Sequence, residues 1–183
     1  MEKSYAGIGS RETPTEILMY MTQIASLLES KGYTLFSGGA SGADTAFELG
    51  VSSPENKKIF LPWEGFNDNK SDLYKISRKA VRIAKEYHPT WDYLPKNTKL
   101  LIARNGYQVL GESLSDPVDM VICYTSDGRA KGGTGQAIRI ANHYKIPVFN
   151  LQDKKHLKQV LTWIETGEIS YIKDVRFETW KLM

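Results

Sequence analysis

The 183-residue chain is predicted to fold as an α/β domain, a mostly parallel sheet flanked by helices on both faces. Three observations predict it. Short apolar runs alternate with segments of helical spacing along most of the chain. The run Val118-Asp119-Met120-Val121-Ile122-Cys123-Tyr124 is almost continuously apolar, as suits a central parallel strand buried on both faces. Two glycine-rich turns, Ser37-Gly38-Gly39-Ala40-Ser41-Gly42-Ala43-Asp44 and Lys131-Gly132-Gly133-Thr134-Gly135-Gln136, each separate a strand from a helix. Glycine lets the backbone turn sharply and lets a ligand approach closely, and the free N–H groups of the helix that follows favour anions. Either turn alone is equally well read as a tight corner. The pair points to a phosphate-bearing ligand held between two strand ends in a Rossmann-like fold.

The elements follow in order. Tyr5-Ala6-Gly7-Ile8-Gly9-Ser10 reads as a first strand entering a turn, with Arg11 next. A helix then opens at Thr13-Pro14-Thr15-Glu16, with Thr13 as cap, Pro14 at the first helical position and Glu16 completing a capping box. Ile17, Tyr20, Met21, Ile24, Leu27 and Leu28 share one face, and Gly32 ends the helix. Tyr33-Thr34-Leu35-Phe36 is the second strand, Asp44 to Leu49 a helix closed by Gly50, and Lys58 to Pro62 the third strand. Leu73, Ile76, Ala80, Ile83 and Ala84 mark a further helix, whose other positions carry Lys75, Arg78, Lys79, Arg82 and Lys85. That basic face reads as a solvated helix surface; a phosphate backbone is the competing reading. His88 to Lys99 is irregular, as a lid or binding loop is, and Trp91 and Tyr93 are placed either to stack on a base or to pin the loop to the core. Leu100 to Glu112 reads as a helix, Thr125 to Lys131 as a polar turn, Gly133 to Tyr144 as a helix, Ile146 to Asn150 as a strand and Leu157 to Ile164 as a helix. The tail, Ile169 to Trp180, is expected to add an edge strand.

Composition bounds the function. The length fits one domain, 1–183, and 41% hydrophobic with 25% charged residues is ordinary for a soluble globular chain. A net charge of +3 does not by itself imply nucleic-acid binding; only a local cluster would. One cysteine, Cys123, excludes an internal disulfide, and His88, His143 and His156 lack metal-ligand spacing, so no metal is expected. No signal peptide or membrane-spanning run is evident, and a cytoplasmic protein, of a bacterium or an infected host, is expected.

In order along residues 5 to 150, Gly7-Ile8-Gly9-Ser10-Arg11, the 37–44 turn, Ala103-Arg104-Asn105, and Gly132-Gly133-Thr134-Gly135 ahead of Ile146-Pro147-Val148 resemble the SLOG superfamily of Rossmann-like proteins. That group includes the DNA-processing protein A (DprA) family and the Lonely-guy phosphoribohydrolases. Arg104 to Gly111 and Cys123 to Gly128 look most like the single-domain DprA-like proteins of bacteriophages. Two departures matter. The Lonely-guy motif places its glutamate where this chain has Arg139, and an arginine cannot serve as a carboxylate does in glycosidic cleavage. DprA proteins that load recombinase carry further domains, for which this chain has no room.

Under this resemblance the ligand set is Gly9, Ser10, Arg11, Ser37, Gly38, Gly39, Ser41, Gly42, Asp44, Arg104, Asn105, Asp127, Gly132, Gly133, Thr134 and Gly135. The glycines supply backbone donors, with the Thr134 hydroxyl beside them. Ser10, Arg11 and Ser41 are placed for phosphate oxygens, an arginine fork being matched to phosphate. Asp44 reads equally as a helix-dipole acid or a ribose contact, and Asp127 as a ribose contact or a turn former. Arg104 and Asn105 line the pocket or tie the helix to the sheet. Asp44 and Glu48, one turn apart, are the weak candidates for an acid/base pair. The main expectation is a binding protein for a nucleotide or nucleotide-derived ligand, ADP-ribose-like or cyclic, which in a phage would sequester a host defence signal. The alternatives are a nucleotide N-glycosidase and DprA-like single-stranded DNA binding. No cofactor is expected, and a homodimer or higher homo-oligomer is.

Overall fold

The computed structural model describes residues 3–130 and 132–171. Five strands, β1 (Lys3–Gly9), β2 (Tyr33–Ser37), β3 (Lys57–Ile59), β4 (Met120–Tyr124) and β5 (Val148–Asn150), form one all-parallel sheet in the order β3-β2-β1-β4-β5. Strand pleating divides the apolar residues between two cores. Tyr5, Leu35, Met120 and Ile122 face α1 (Thr15–Ser30), α2 (Ala43–Gly50) and α6 (Lys154–Thr166). Their neighbours Ala6, Phe36, Val121 and Cys123 face α3 (Arg78–Tyr87), α4 (Lys96–Leu110) and α5 (Gly132–His143). The α/β, Rossmann-like class is as expected. Burial on this second side pushes the Cys123 thiol up to about 12, so it is an inert core residue.

Several boundaries differ from the sequence expectation, each for a local reason. The capping box does not form: α1 begins after Pro14, and the Thr13 hydroxyl instead donates to the Ser10 carbonyl at 2.7 Å, securing the turn after β1. α3 starts late because Ser77 caps it, accepting from the Ala80 amide. Leu73 and Ile76 reach the core from the extended segment before it, at a spacing that imitates a helix. α4 starts earlier than the apolar pattern because its first turn, Lys96 to Lys99, is polar and follows Pro95. Trp91 and Tyr93 form a short 3-10 turn between these helices. Trp91 is buried and pins the loop to the core, whereas Tyr93 is 90% exposed and does not. Gly50 is the last residue of α2; a Cβ there would overlap the Thr22 carbonyl of α1, so this glycine serves close helix packing. Ile169 to Tyr171 add no strand, and the rest of the expected edge strand lies outside the described residues. Among the described residues no helix is long and apolar enough to cross a membrane.

One carboxylate fastens the entry to β3. Glu29, near the end of α1, accepts from the amides of Ser52 and Ser53, the Ser52 hydroxyl and the Asn56 side chain. Burial opposes its ionisation, but these hydrogen bonds together outweigh burial and bring the carboxyl from 4.5 down to about 2. Glu29→Gln is expected to lower the unfolding free energy by about 1–2 kcal/mol at pH 7, allowing for partial exposure. A depressed native value contributes stability above the free value and loses it as pH falls through the native one. The gap between variant and parent in urea melts should therefore be full at pH 7 and close between pH 4.5 and about 2.

Candidate functional site

The strand order reverses between β1 and β4: β2 and β3 lie to one side of this pair, β5 to the other. At such a point the loops leaving the carboxyl ends diverge to opposite faces and leave a crevice. A cavity of about 400 Å³ opens there. Gly9, Ser10 and Arg11 line it from the end of β1, and Thr125, Ser126 and Asp127 from the end of β4. Gly132, Gly133 and Thr134 open α5 beside it. The fourth wall is α4, through Thr98, Leu101, Arg104, Asn105 and Gln108, whose three- and four-residue spacing puts them on one helix face.

The first glycine turn behaves differently from expectation. Only Ala40 and Asp44 of that turn border the cavity. Its amides are spent inside the protein. The Asp44 carboxylate, 4% exposed at the start of α2, accepts from the Gly9 amide at 3.3 Å and the Ala40 amide at 3.4 Å. It thus stands in the first turn of α2, where the helix dipole favours an acid, and ties the turn back to the end of β1. Ser37 is buried and ties β2 to β1, its hydroxyl donating to the Gly7 carbonyl at 2.6 Å. The Gly39 carbonyl accepts from Asn67, Ser41 is exposed on the outside of the turn, and Gly42 lets the turn pack on the Ser10–Arg11 backbone. Gly38 is required by contact: a Cβ would overlap the Arg104 guanidinium.

Arg104 is the centre of the arrangement. It is 6% exposed and sits in the middle of α4, not near its start. Its Nη1 donates to Asp44 Oδ2 at 3.3 Å. Burial holds the Asp44 carboxyl above the ordinary carboxylate value, against the pull of Arg104 and the two amides. Burial likewise holds the guanidinium below its ordinary value. Asp44 raises it, and the nearby positive charge of Arg11 lowers it further. Gln108, 1% exposed and absent from the expected set, joins the network through its amide, oriented by its partners. It accepts from Arg104 Nη1 at 3.1 Å and the Gly38 amide at 3.0 Å, and donates to Asn105 Oδ1 at 2.7 Å. Asn105 in turn donates to the Gly133 carbonyl at 2.6 Å. A continuous chain of hydrogen bonds therefore joins the two glycine turns through α4. The four-residue step from Arg104 to Gln108 was the available sequence signal for it. Arg104 also keeps one donor in reserve: its buried Nε meets no acceptor among the described residues.

The second turn has the opposite character. No side chain among the described residues accepts from the Gly133 or Thr134 amides, so the positive end of α5 faces the cavity unfilled. Gly135 is set back from the cavity and packs on the Ala130 backbone. Asp127 is exposed at the rim and accepts from the Arg129 amide, as a turn former does. The pair of Asp44 and Glu48 is not assembled: Glu48 lies outside the cavity and takes hydrogen bonds from Asn69. Arg139 is also directed elsewhere, to the carbonyls of Tyr87 and Ala130 and to Gln136. Among the described residues no cluster of His, Cys, Asp or Glu is arranged to hold a metal ion.

No family model and no curated protein matches the sequence. Among solved structures the chain is similar to DNA processing protein A from Helicobacter pylori, described for a unique single-stranded DNA binding mode. The likeness covers 90% of this chain and 80% of that one, with 21% identity and a TM-score of 0.57, and it establishes a shared fold.

The buried pair makes a stability prediction. Removing one partner leaves an uncompensated buried charge, so Asp44→Ala and Arg104→Leu are each expected to cost about 3–5 kcal/mol. The double variant should cost at least about 1 kcal/mol less than the two together. Urea unfolding of the four proteins at pH 7 measures the cycle.

Proposed function

We propose that the protein binds a phosphate-bearing nucleotide in the cavity between β1 and β4. One observation carries the reading: two unspent sources of positive potential converge on one cavity. These are the open first turn of α5 and the exposed guanidinium of Arg11. In this reading the Gly133 and Thr134 amides and the Arg11 fork take phosphate oxygens. Leu101 and Thr98 give the base a partly apolar wall, and Asp127 stands at the rim for a ribose hydroxyl. The volume suits a ligand of nucleotide size. Binding is favoured over turnover on the Asp44–Glu48 pair, because Asp44 is already engaged by Arg104 and two amides and Glu48 lies outside the cavity.

A second reading is single-stranded DNA, which offers the same phosphate and base chemistry in repeated form. The likeness to DNA processing protein A favours it, since that protein is described as binding single-stranded DNA. The SLOG resemblance, with its phage-type, single-domain branch, accommodates both readings. In a phage, binding without turnover would withdraw a host nucleotide signal, and a homo-oligomer is proposed with it.

Mass spectrometry of the small molecules released on heating the purified protein, with calorimetry against mono-, di- and cyclic nucleotides and ADP-ribose, tests the main reading. A nucleotide ligand is expected. Arg11→Ala should weaken it at least about 10-fold, the loss of one charge-assisted hydrogen bond, and leave the melting temperature unchanged because Arg11 is exposed. No released nucleotide and no heat with any of the panel would overturn it.

A further inference from the structure

Resting on the single-stranded DNA reading, we infer that a single-stranded polynucleotide lies along the outward face of α3 and stacks a base on Tyr93, a surface separate from the cavity. The charge distribution is the first argument. Residues 75–99 hold seven lysines and arginines against two acids, a surplus of five, while the whole chain has a surplus of three. The rest of the protein is therefore net acidic, and the positive potential is local.

The helix geometry is the second argument. Arg78, Arg82 and Lys85 follow one another at four- and three-residue steps, diametrically opposite the buried Ala80, Ile83 and Ala84. They make a straight cationic row about 10 Å long. α3 packs on α4 and α5, so this row is the outermost surface on its side of the molecule. Arg78 and Arg82 have no hydrogen-bond or ion-pair partner among the described residues. Lys85 meets Asp92 in an exposed pair at 3.4 Å, which a phosphate can replace at little cost.

The third argument is the aromatic residue at the end of the row. Asp92 is reached from both sides, by Lys85 of α3 and by Lys99 of α4, whose Nζ donates to its carbonyl. Tyr93 is the next residue, and its ring is 90% exposed. Its ring faces are therefore free to stack, unlike those of the buried Trp91. A stripe of cations ending in an exposed aromatic is the arrangement that holds unpaired nucleotides, phosphates on the charges and a base on the ring. A duplex hides its base faces and has no use for that ring. Lys96, exposed in the first turn of α4, extends the positive surface beyond it.

Fluorescence anisotropy of a labelled 20-nucleotide oligothymidylate, titrated with the full-length protein at 50 to 300 mM salt, tests this. Arg78→Glu/Arg82→Glu should weaken binding at least about 10-fold and reduce the slope of log K against log salt by roughly 1–2. Tyr93→Ala should weaken it at least about 5-fold at every salt concentration, and should not alter the weaker binding of a duplex of equal length. All three residues are exposed, and circular dichroism and melting temperature should match the parent. No binding by the parent at 50 mM salt would overturn both this inference and the DNA reading. Parent binding that survives the α3 and Tyr93 variants but is lost in Arg11→Ala would move the strand into the cavity and overturn this inference alone. Binding that depends on α3, ignores Tyr93 and is matched by duplex or heparin would make the surface a general polyanion patch, and would overturn it too.

Discussion

The ion pair between Asp44 and Arg104 governs the carboxyl edge of the sheet. Both groups are nearly excluded from water, and each is held in its charged form mainly by the other. Such a pair gives little net stability over an apolar replacement, because desolvating two charges offsets most of their attraction. What it gives is placement. The carboxylate closes the first glycine turn on itself, and the guanidinium fixes the side of α4 that faces the crevice. Gln108 and Asn105 then carry that placement to Gly133, so the two turns are spaced by one rigid helix.

This explains why two turns of similar composition have different roles. Each precedes a helix, and each helix presents a positive end. At α2 that end is neutralised from within by Asp44; at α5 no described side chain does the same. On the reading proposed above, an anion in the crevice meets α5 and Arg11, with the Asp44–Arg104 pair buried behind them. Asp44 is an obstacle to a second negative group there only in part, because that carboxylate is already hydrogen-bonded three ways, by Arg104 and two amides.

The fold was legible in the sequence because it rests on periodicity. Strands such as Met120–Tyr124 are apolar on both faces, and no other element type of that length reads so. The position of the crevice was legible as well, since glycine turns after strands mark the edge where ligands bind. The assignment of individual residues was not. Glycines in a turn look alike in sequence whether they donate to a ligand or make way for a neighbour, and Gly38 proves to be there for Arg104. Asp44 and Glu48 share a helix face by spacing, yet tertiary contacts send one to Arg104 and the other to Asn69. The start at Lys96 was missed because a polar first turn carries no hydrophobic signal, and that at Ser77 because Leu73 and Ile76, in the extended segment before it, imitate helical spacing.

The basic segment between residues 75 and 99 shows how much a local count depends on the fold. In sequence it is a helix surface with more lysine and arginine than usual. In three dimensions α3 is an outer layer, its apolar side used against α4 and α5, with Asp92 the one acid among the described residues ion-paired to its charged side. Charge placed there does no work for the core. Four unpaired or weakly paired cations in close proximity repel one another, so the arrangement costs free energy in the isolated protein. Selection for stability alone would intersperse acids, as it has over the rest of the chain, where acids outnumber bases. On the inference drawn above, the surplus is potential held for an anionic partner, and the exposed Tyr93 ring at its end suits one with aromatic faces of its own.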